Sequence, residues 1–367
     1  MLLEIFWAQA QTWMQGWAST AMELLGLKQE RFRNLKIQTF KPKPGLNALV
    51  GGNAQGKSNL LEAIFVALGG ELTASTQEQI AWGASEARLY AEIRTLLGIF
   101  RLETRLTPKG REYWLNEAPA RRRNFLELPG AVLAGPEDLE LIFGGPEARR
   151  RFLDQLLSRF SSRYSALLAA YQKALLQRNA ALRQGLTVDP WDRTLSRHGE
   201  AILTFRRRLV RRLAPLANEL HVRLAGYPLE LRLLESSPPE RLAEELRVHL
   251  EEDRQRGFTS VGPHRDDLKI QLKESPAQRY ASRGEARSIA LALRLAEAQL
   301  LSEHFEDPPL LLIDEWNSEL DPKRQRALYE LAQSFPQALF AGLNPPPDVP
   351  CWILEEGSWK DSSEPWS

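Results

Sequence analysis

One stretch of the sequence has the residue types and the spacing of a phosphate-binding loop: Gly51-Gly52-Asn53-Ala54-Gln55-Gly56-Lys57-Ser58-Asn59. Apolar residues predict a short buried strand over 46–50, and the residues from 59 to 65 predict a helix. A glycine loop between a strand and a helix directs backbone N–H groups at phosphate oxygens. The lysine can then reach the β- and γ-phosphates, and the serine hydroxyl can bind Mg²⁺. We therefore predict that this loop binds a nucleoside triphosphate with Mg²⁺, with a chance glycine turn as the alternative.

A pair of carboxylates could complete that site. Asp314 and Glu315 directly follow four apolar residues, 310–313, which predict a central parallel strand buried on both faces. Asp314 would hold Mg²⁺ opposite Ser58, and Glu315 would orient a water for attack on the γ-phosphate. Lys57, Asp314 and Glu315 are thus the predicted catalytic residues. Plain surface charge at a strand end is the alternative.

A second phosphate-binding end is predicted at Ser282 and Gly284, which open a helix predicted over 284–304. A serine hydroxyl, a glycine and a helix N-terminus together favour an anion. The pattern alone is weak, because the same residues often form an ordinary helix N-cap.

The elements between these motifs fall into three groups. Strands of period two are predicted at 35–38, 87–94, 100–104 and 113–115, forming an antiparallel meander. The loop after them carries Arg121, Arg122 and Arg123.

Long helices follow a boundary at Gly144-Gly145-Pro146. Apolar residues from Leu153 to Leu175 recur every three or four positions and predict one helix, which would extend about 50 Å if it continued to the break at Gly185. A second set runs from Ile202 to Leu224, so the two helices predict an antiparallel arm. Pro215 should kink or end a segment of the second helix.

The remaining elements alternate between helix and strand, with the last residues forming an edge and a tail. Short helices are predicted over 240–250 and 323–334, strands over 269–273 and 338–342, and the edge and tail over 345–367.

Composition indicates a cytoplasmic protein whose charge is unevenly distributed. No apolar run approaches the roughly 20 residues of a membrane span, and the single cysteine, Cys351, fits a reducing compartment. Net charge is only +1, yet residues 149–212 hold 15 Lys/Arg against 4 Asp/Glu. Such an excess is typical of a surface that binds a polyanion, although a solvated helical face would look the same. Two surfaces compete for binding a nucleic acid: the head around Arg121, Arg122 and Arg123, and the helical arm with Arg149, Arg150, Arg151, Arg206, Arg207 and Arg208.

Residues 1–21 fit none of these elements. Leu3, Phe6, Trp13 and Trp17 fall at helical spacing, but the segment has no Lys or Arg. We interpret it as an extension or as a start codon assigned too early, with the true beginning near Met22.

Several blocks, in order, resemble the bacterial RecF family of recombination mediators, which carry an ATPase head of the chromosome-maintenance, ATP-binding cassette (ABC) type. The resemblance spans Met22 to about Cys351. The blocks are Phe32-Arg33-Asn34-Leu35, Gly45-Leu46-Asn47, the phosphate-binding loop with Asn59-Leu60-Leu61-Glu62-Ala63-Ile64, Pro136-Glu137-Asp138-Leu139, Arg149 to Asp154, Gln177-Arg178-Asn179, Gly262-Pro263-His264-Arg265-Asp266-Asp267-Leu268, Ala281 to Glu285, and Asp314 to Asp321.

The resemblance implies an α/β ABC-type ATPase head, with a mixed sheet and an antiparallel lobe, interrupted by an inserted antiparallel helical arm. The expected domains are a head lobe over 22–146, the arm over 147–256 and a second head lobe over 257–367. The family relationship also implies an ATP-dependent homodimer in which Lys57 of one copy faces Ser282 of the other. It further implies binding of duplex DNA near single-strand gaps, cooperation with RecO and RecR in loading RecA, and slow ATP hydrolysis as a release switch.

The sequence departs from the family pattern at three places. Ala54 stands where a glycine is usual, Glu315 where the family often has Asp, and Asn344 where a His or Thr would sense the γ-phosphate. The family block around His264 has no role assigned by its spacing. A structural hydrogen bond is favoured over a catalytic role.

Other ABC-type ATPases are the alternative, either a chromosome-maintenance relative or a transport ATPase subunit. A transport subunit would lack the long insertion between the two nucleotide motifs. An overcoming-lysogenization-type ATPase would need a nuclease domain beyond the head, and the antiparallel meander disfavours a nucleotide kinase.

Overall fold

The computed structural model describes residues 21–362. The extension predicted at residues 1–21 therefore lies, apart from Ala21, outside the described residues. The first part of the described chain consists mainly of strands. Its elements are β1 (Glu23–Glu30), β2 (Gln38–Phe40), β3 (Gly45–Val50), α1 (Lys57–Ala67), α2 (Thr76–Gln79), β4 (Ala87–Thr95), β5 (Gly98–Thr107), β6 (Gly110–Leu115), β7 (Ala118–Ala120), α3 (Arg122–Leu126) and β8 (Ala131–Ala134).

The middle of the chain is mainly helical. Its elements are α4 (Glu140–Phe143), α5 (Pro146–Phe160), α6 (Ser162–Arg183), α7 (Asp189–Ala225), β9 (Leu229–Leu234), α8 (Leu242–Val248), α9 (Leu250–Arg256), β10 (Asp267–Leu272), β11 (Ser275–Pro276), α10 (Ala277–Tyr280) and α11 (Arg283–Phe305).

The last part returns to strands: β12 (Leu310–Ile313), α12 (Pro322–Ala332), β13 (Gln337–Gly342), β14 (Cys351–Glu355) and β15 (Ser358–Asp361). The chain divides into two compact units. One combines the residues up to Glu137 with those from Glu297 onward, and the other is Asp138–Ala296. No helix among residues 21–362 has the length and apolarity needed to cross a membrane.

A six-stranded sheet of order β15-β14-β3-β13-β12-β8 forms the centre of the first unit. All of its neighbouring strands pair in parallel except β14 and β15, which form an antiparallel edge hairpin. All four residues of β12 are buried, as expected for a parallel strand covered on both faces. The predicted central strand is confirmed.

The same unit contains an antiparallel sheet of order β2-β1-β4-β5-β6-β7, which confirms the predicted meander. Helix α1 contacts both sheets. Its buried side chains include Leu60, Leu61 and Ile64, which join one hydrophobic core with residues of both sheets. This packing fixes the helix that begins at Lys57 and thereby the loop before it.

The strand predicted at 35–38 is wrong. Only Gln38 belongs to a strand, and the first strand lies earlier, at β1. Leu35 is buried, but Ile37 is 64% exposed, so the apolar alternation there does not mark one buried face of a sheet. Main-chain hydrogen bonds instead run from Leu35 to Phe32 and from Lys36 to Gly357.

One prediction for the helical region also needs correction, and one is narrowed. The single long helix from 153 to 175 is two helices, because Ser161 is extended and its side chain caps α6 by accepting from the Tyr164 amide. Pro215 does not end its segment, since α7 continues through it to Ala225. Furthermore, Arg122 and Arg123 do not lie in a loop but in the short helix α3, with Arg121 as its N-cap.

Candidate nucleotide-binding site

Three segments predicted to act together follow the ends of neighbouring parallel strands. Val50, before the glycine loop, pairs with Gly342 of β13. Ile313, before Asp314, pairs with Phe340 of the same strand. Because parallel strands end at one edge of the sheet, the loop, the carboxylate pair and the segment after β13 lie along the same edge.

Glycines are required at two positions of the loop. A Cβ on Gly51 would lie 2.4 Å from the carbonyl oxygen of Leu354, which is closer than any side chain tolerates. Gly56 is the N-cap of α1 with φ of 105°, a conformation that favours glycine. The loop therefore approaches the backbone of β14 and turns directly into the helix.

Ala54 has a left-handed conformation, with φ of 61°. The alanine therefore keeps the turn that the usual glycine would form, at a cost of roughly 1 kcal/mol. Asn34 supports the loop from outside: its side chain donates to the Ala54 carbonyl oxygen at 3.3 Å and accepts from the Asn59 side chain at 2.7 Å. In the sequence, Asn34 is recognisable only as part of a family block.

The hairpin of β14 and β15 also supports the loop. The Gly357 amide donates to the Gln55 carbonyl oxygen at 3.1 Å, and the Glu356 amide donates to the Gln55 side chain at 2.6 Å. The sequence predicts only an edge and a tail there, because nothing local links these residues to a loop 301 positions away.

Lys57 lies within the loop. Its ammonium donates to the carbonyl oxygens of Gly51 at 2.8 Å and Gly52 at 2.6 Å. Burial lowers the pKa of Lys57, while the carboxylates of Asp314 and Glu315 favour its charged form. The predicted catalytic groups are therefore close enough to interact electrostatically.

The two carboxylates differ in their surroundings. Asp314 is 7% exposed, its amide donates to the Ala134 carbonyl oxygen at 2.8 Å, and its side chain accepts from the Glu315 amide at 2.9 Å. Glu315 is exposed and has φ of 45°. Left-handed conformations of residues other than glycine cost on the order of 1–3 kcal/mol and cluster at functional sites. Asp314 is thus held rigidly, and Glu315 projects from a strained turn.

An ion pair beside the loop was not predicted. Arg33 contacts Glu62 of α1 at 2.7 Å. Burial raises the pKa of Glu62 to about 7 against the effect of Arg33, and the carboxylates of Glu137 and Asp314 raise it further. The signal was present in the sequence, since Arg33, Glu62 and Glu137 all lie in the family blocks.

Trp316 connects the carboxylate pair to the segment after β13. Its amide donates to the Ala341 carbonyl oxygen at 3.1 Å, and its indole N–H donates to the Asn344 carbonyl oxygen at 2.9 Å. The backbone of Asn344 is therefore fixed, whereas a γ-phosphate contact by its side chain stays a prediction.

Ser282 is the N-cap of α11. Its hydroxyl accepts from the Glu285 amide at 3.3 Å, and both its hydroxyl and its amide donate to the Glu285 carboxylate at 2.9 Å. Tyr227 donates to the other oxygen of that carboxylate at 3.2 Å. These contacts orient the Ser282 hydroxyl, and the roles of Ser282 and Gly284 toward a nucleotide stay predictions.

The predicted DNA-binding arginines fall into three groups. Arg149 and Arg206 are only 4% and 2% exposed. Arg149 pairs with Asp267 at 2.6 Å, and Arg206 pairs with Asp154 at 2.8 Å. Their inclusion was wrong, because buried and paired guanidinium groups cannot reach a phosphate backbone at the surface.

The other candidates lie nearer to solvent. Four of them form hydrogen bonds or ion pairs with other residues: Arg122 with Gly69 and Glu71, Arg150 with the Asp266 carbonyl oxygen, Arg151 with Glu147, and Arg207 with Glu235 and Glu240. The remaining three candidates, Arg121, Arg123 and Arg208, are exposed and form no ion pair with another described residue.

His264 has a structural environment. Nε2 donates to the Thr259 carbonyl oxygen at 3.0 Å, because a carbonyl oxygen can only accept. Nδ1 of the neutral ring therefore accepts from the Tyr171 hydroxyl at 2.7 Å. Burial lowers the pKa of His264 to about 4, which keeps the ring neutral near pH 7. Its contacts therefore support the structural interpretation.

The parallel sheet, the glycine loop after β3 and the carboxylates after β12 define the fold of an ABC-type ATPase head. The family model for the RecF/RecN/SMC N terminal domain matches residues 23–340. The DNA replication and repair protein RecF of Deinococcus deserti is 43% identical over 330 residues, which cover 89% of this chain and 91% of that protein. The chain belongs to the RecF family of DNA replication and repair proteins.

Solved structures agree with this assignment. A structure of the recombination mediator protein RecF with ATP, from the RecFOR pathway, matches with a TM-score of 0.85 at 27% identity, covering 94% of this chain and 98% of that one. A second, described as RecF-ATPrS, gives a TM-score of 0.82 at 28% identity and covers 94% and 100% of the two chains. The predicted family and fold class are confirmed.

Proposed function

We propose that the protein is an ATP-gated recombination mediator that dimerises on ATP, binds duplex DNA near single-strand gaps and helps RecO and RecR load RecA. Slow ATP hydrolysis separates the dimer and releases the DNA. The protein thus acts as a switch and transfers no phosphate to a metabolite.

The observation that carries this proposal is the meeting of Lys57, Asp314 and Glu315 at one sheet edge in a chain of the RecF family. The amides of residues 53–58 donate to no other described residue, so they are available to phosphate oxygens. A solved structure of a similar protein, RecF with ATP, supports ATP as the nucleotide of this chain.

Mg²⁺ fits the oxygen donors of Ser58 and Asp314, which follow two strands that end at one edge. When bound, Mg²⁺ neutralises phosphate charge. Glu315 accepts a proton from the attacking water, and Lys57 holds the γ-phosphate. Ser282 and Gly284 of a second copy donate to the same phosphate and close the site.

We expect dimerisation and tight DNA binding only with ATP. The measurement is molecular mass by light scattering, together with binding to a gapped duplex, with ATP, with ADP and without nucleotide. EDTA should abolish the ATP effect if Mg²⁺ takes part. A monomer that binds DNA equally well in all three conditions would contradict the proposal.

Glu315→Gln should prolong the ATP-bound dimer. The amide keeps the size of the side chain but cannot accept a proton, and loss of a general base slows such steps by about 10²–10⁴-fold. The readout is dimer lifetime after dilution, with Glu319→Gln as a matched control in the adjacent turn. An unchanged lifetime would remove Glu315 from the hydrolytic step.

A further inference from the structure

One face of α7 carries four exposed arginines: Arg193, Arg197, Arg208 and Arg211. None of them forms an ion pair with another described residue. At 100° per residue, all four lie within a sector of about 60° on the helix. They span about 27 Å along its axis. We call these four residues the arginine stripe.

The rest of α7 shows why this face is distinct. The opposite side of the helix is buried through residues such as Leu195, Ile202 and Leu209. Between Arg193 and Arg211 the single acidic residue is Glu200, which lies about 20° from the edge of the stripe sector. The stripe and Glu200 together therefore have a net charge of +3.

Several exposed arginines elsewhere on this unit pair with carboxylates, whereas Arg163, Arg183, Arg247 and Arg279 are exposed without an ion pair to another described residue. Arg207, next to Arg208, contacts Glu235 and Glu240. Arg254 and Arg256 contact acidic residues one helical turn away. The unpaired arginines outside the stripe lie singly on α8 and α10 or on different faces of α6, whereas the stripe places four of them on one face of one helix.

A row of unpaired guanidinium groups suits a regular array of phosphates. Arginine presents planar donors that match phosphate oxygens, and backbone contacts supply most of the affinity of proteins for duplex DNA. A straight helix face of about 27 Å corresponds to about eight base pairs at 3.4 Å each. An acidic protein is the alternative partner, and it would need carboxylates spaced to match the four arginines.

We propose that the arginine stripe of α7 is the surface that contacts the DNA backbone. The proposal rests on the proposed function, since it assigns a surface to the DNA binding stated there. It also replaces the buried candidates Arg149 and Arg206 with Arg193, Arg197 and Arg211, and it retains Arg208.

The test replaces the four arginines by glutamine and measures the Kd for a gapped duplex with ATP between 50 and 200 mM salt. Each lost phosphate contact should reduce the slope of log K against log salt by about 0.9, up to about 3.6 in total. We expect roughly tenfold or greater loss of affinity at low salt. ATP binding and thermal unfolding should stay as in the wild type, because the four side chains are exposed.

Two control variants decide between surfaces. Arg254→Gln with Arg256→Gln removes exposed but paired arginines, and it should leave the salt slope unchanged. Arg121→Gln with Arg123→Gln tests the exposed pair at α3. If the α3 variant loses affinity while the stripe variant keeps it, the assignment to α7 is wrong.

Glu200→Gln gives an independent test in the opposite direction. Removing the acidic residue beside the stripe should tighten DNA binding several-fold and steepen the salt dependence. An unchanged Kd in both this variant and the stripe variant, with a wild type that binds DNA, would overturn the stripe alone. A wild type that binds no DNA with any nucleotide would overturn the proposed function and the stripe together.

Discussion

A Ser282→Ala chain should bind ATP as a monomer and fail to form the ATP-dependent dimer. In the proposed site, the ATP contacts made by a single copy come from the loop at residues 51–59 and from Asp314. The Ser282 hydroxyl would serve only the nucleotide of a second copy. Its loss should therefore affect assembly and leave the first binding step intact.

The matched variant is Lys57→Ala, which should lose both steps. A charge-assisted hydrogen bond contributes about 1.5–3 kcal/mol, so ATP binding should weaken by roughly 10- to 150-fold. Binding of a fluorescent ATP analogue and light scattering measure the two steps separately. If ATP binding falls as far in Ser282→Ala as in Lys57→Ala, Ser282 does not act on the partner's nucleotide.

Helix stability is a necessary control here. Ser282 caps α11 through the Glu285 amide, and loss of such a cap costs about 1 kcal/mol. Thermal unfolding should show this small decrease in Ser282→Ala. Tyr227→Phe, which removes the hydroxyl contact to Glu285, should leave the dimer largely intact because the reciprocal Ser282 contacts stay.

Arg206→Ala should destabilise the protein far more than Arg207→Ala. Arg206 donates to Asp154 at 2.8 Å, to Asp266 at 3.1 Å and to the Pro263 carbonyl oxygen at 2.6 Å. Burial raises the pKa of Asp266 to about 6, and Arg206 opposes this effect. Removing one partner of a buried ion pair costs about 3–5 kcal/mol, because the remaining charge stays buried.

Arg207 provides the control in the neighbouring position. Its ion pairs to Glu235 and Glu240 are at the surface, and such pairs contribute about 0–1 kcal/mol. Urea unfolding of the two variants measures the difference. Equal loss in both would mean that the buried pairs do not stabilise the fold more than the exposed ones.

These contacts also give the block around His264 a structural role. Arg206 contacts Pro263 and Asp266, His264 contacts Tyr171, and Thr259, a few residues earlier, accepts from Arg178 at 2.9 Å. Sequence blocks that are far apart therefore form one buried polar network within the second unit.

The sequence alone determined the parts of this protein that depend on local pattern. The glycine loop needs a strand, two glycines and a helix in succession, and β3 and α1 occur where that order predicts them. The four apolar residues of β12 predicted a strand buried on both faces, and all four are buried. The position of Asp314 at the end of that strand was predicted by the same four residues, because Asp314 directly follows them.

Tertiary structure decided what depends on distant partners. Arg206, Arg207 and Arg208 are identical in type and adjacent in sequence, yet each points about 100° from the next around α7. Acidic residues 52 and 60 positions away pair with Arg206, whereas Arg208 faces solvent. The hairpin of β14 and β15 supports the loop in the same way, through contacts across about 300 residues. Local pattern contains no information on such partners, so the sequence specified the glycine loop and the carboxylate pair, and only the packed fold specified which arginines are buried and which are exposed.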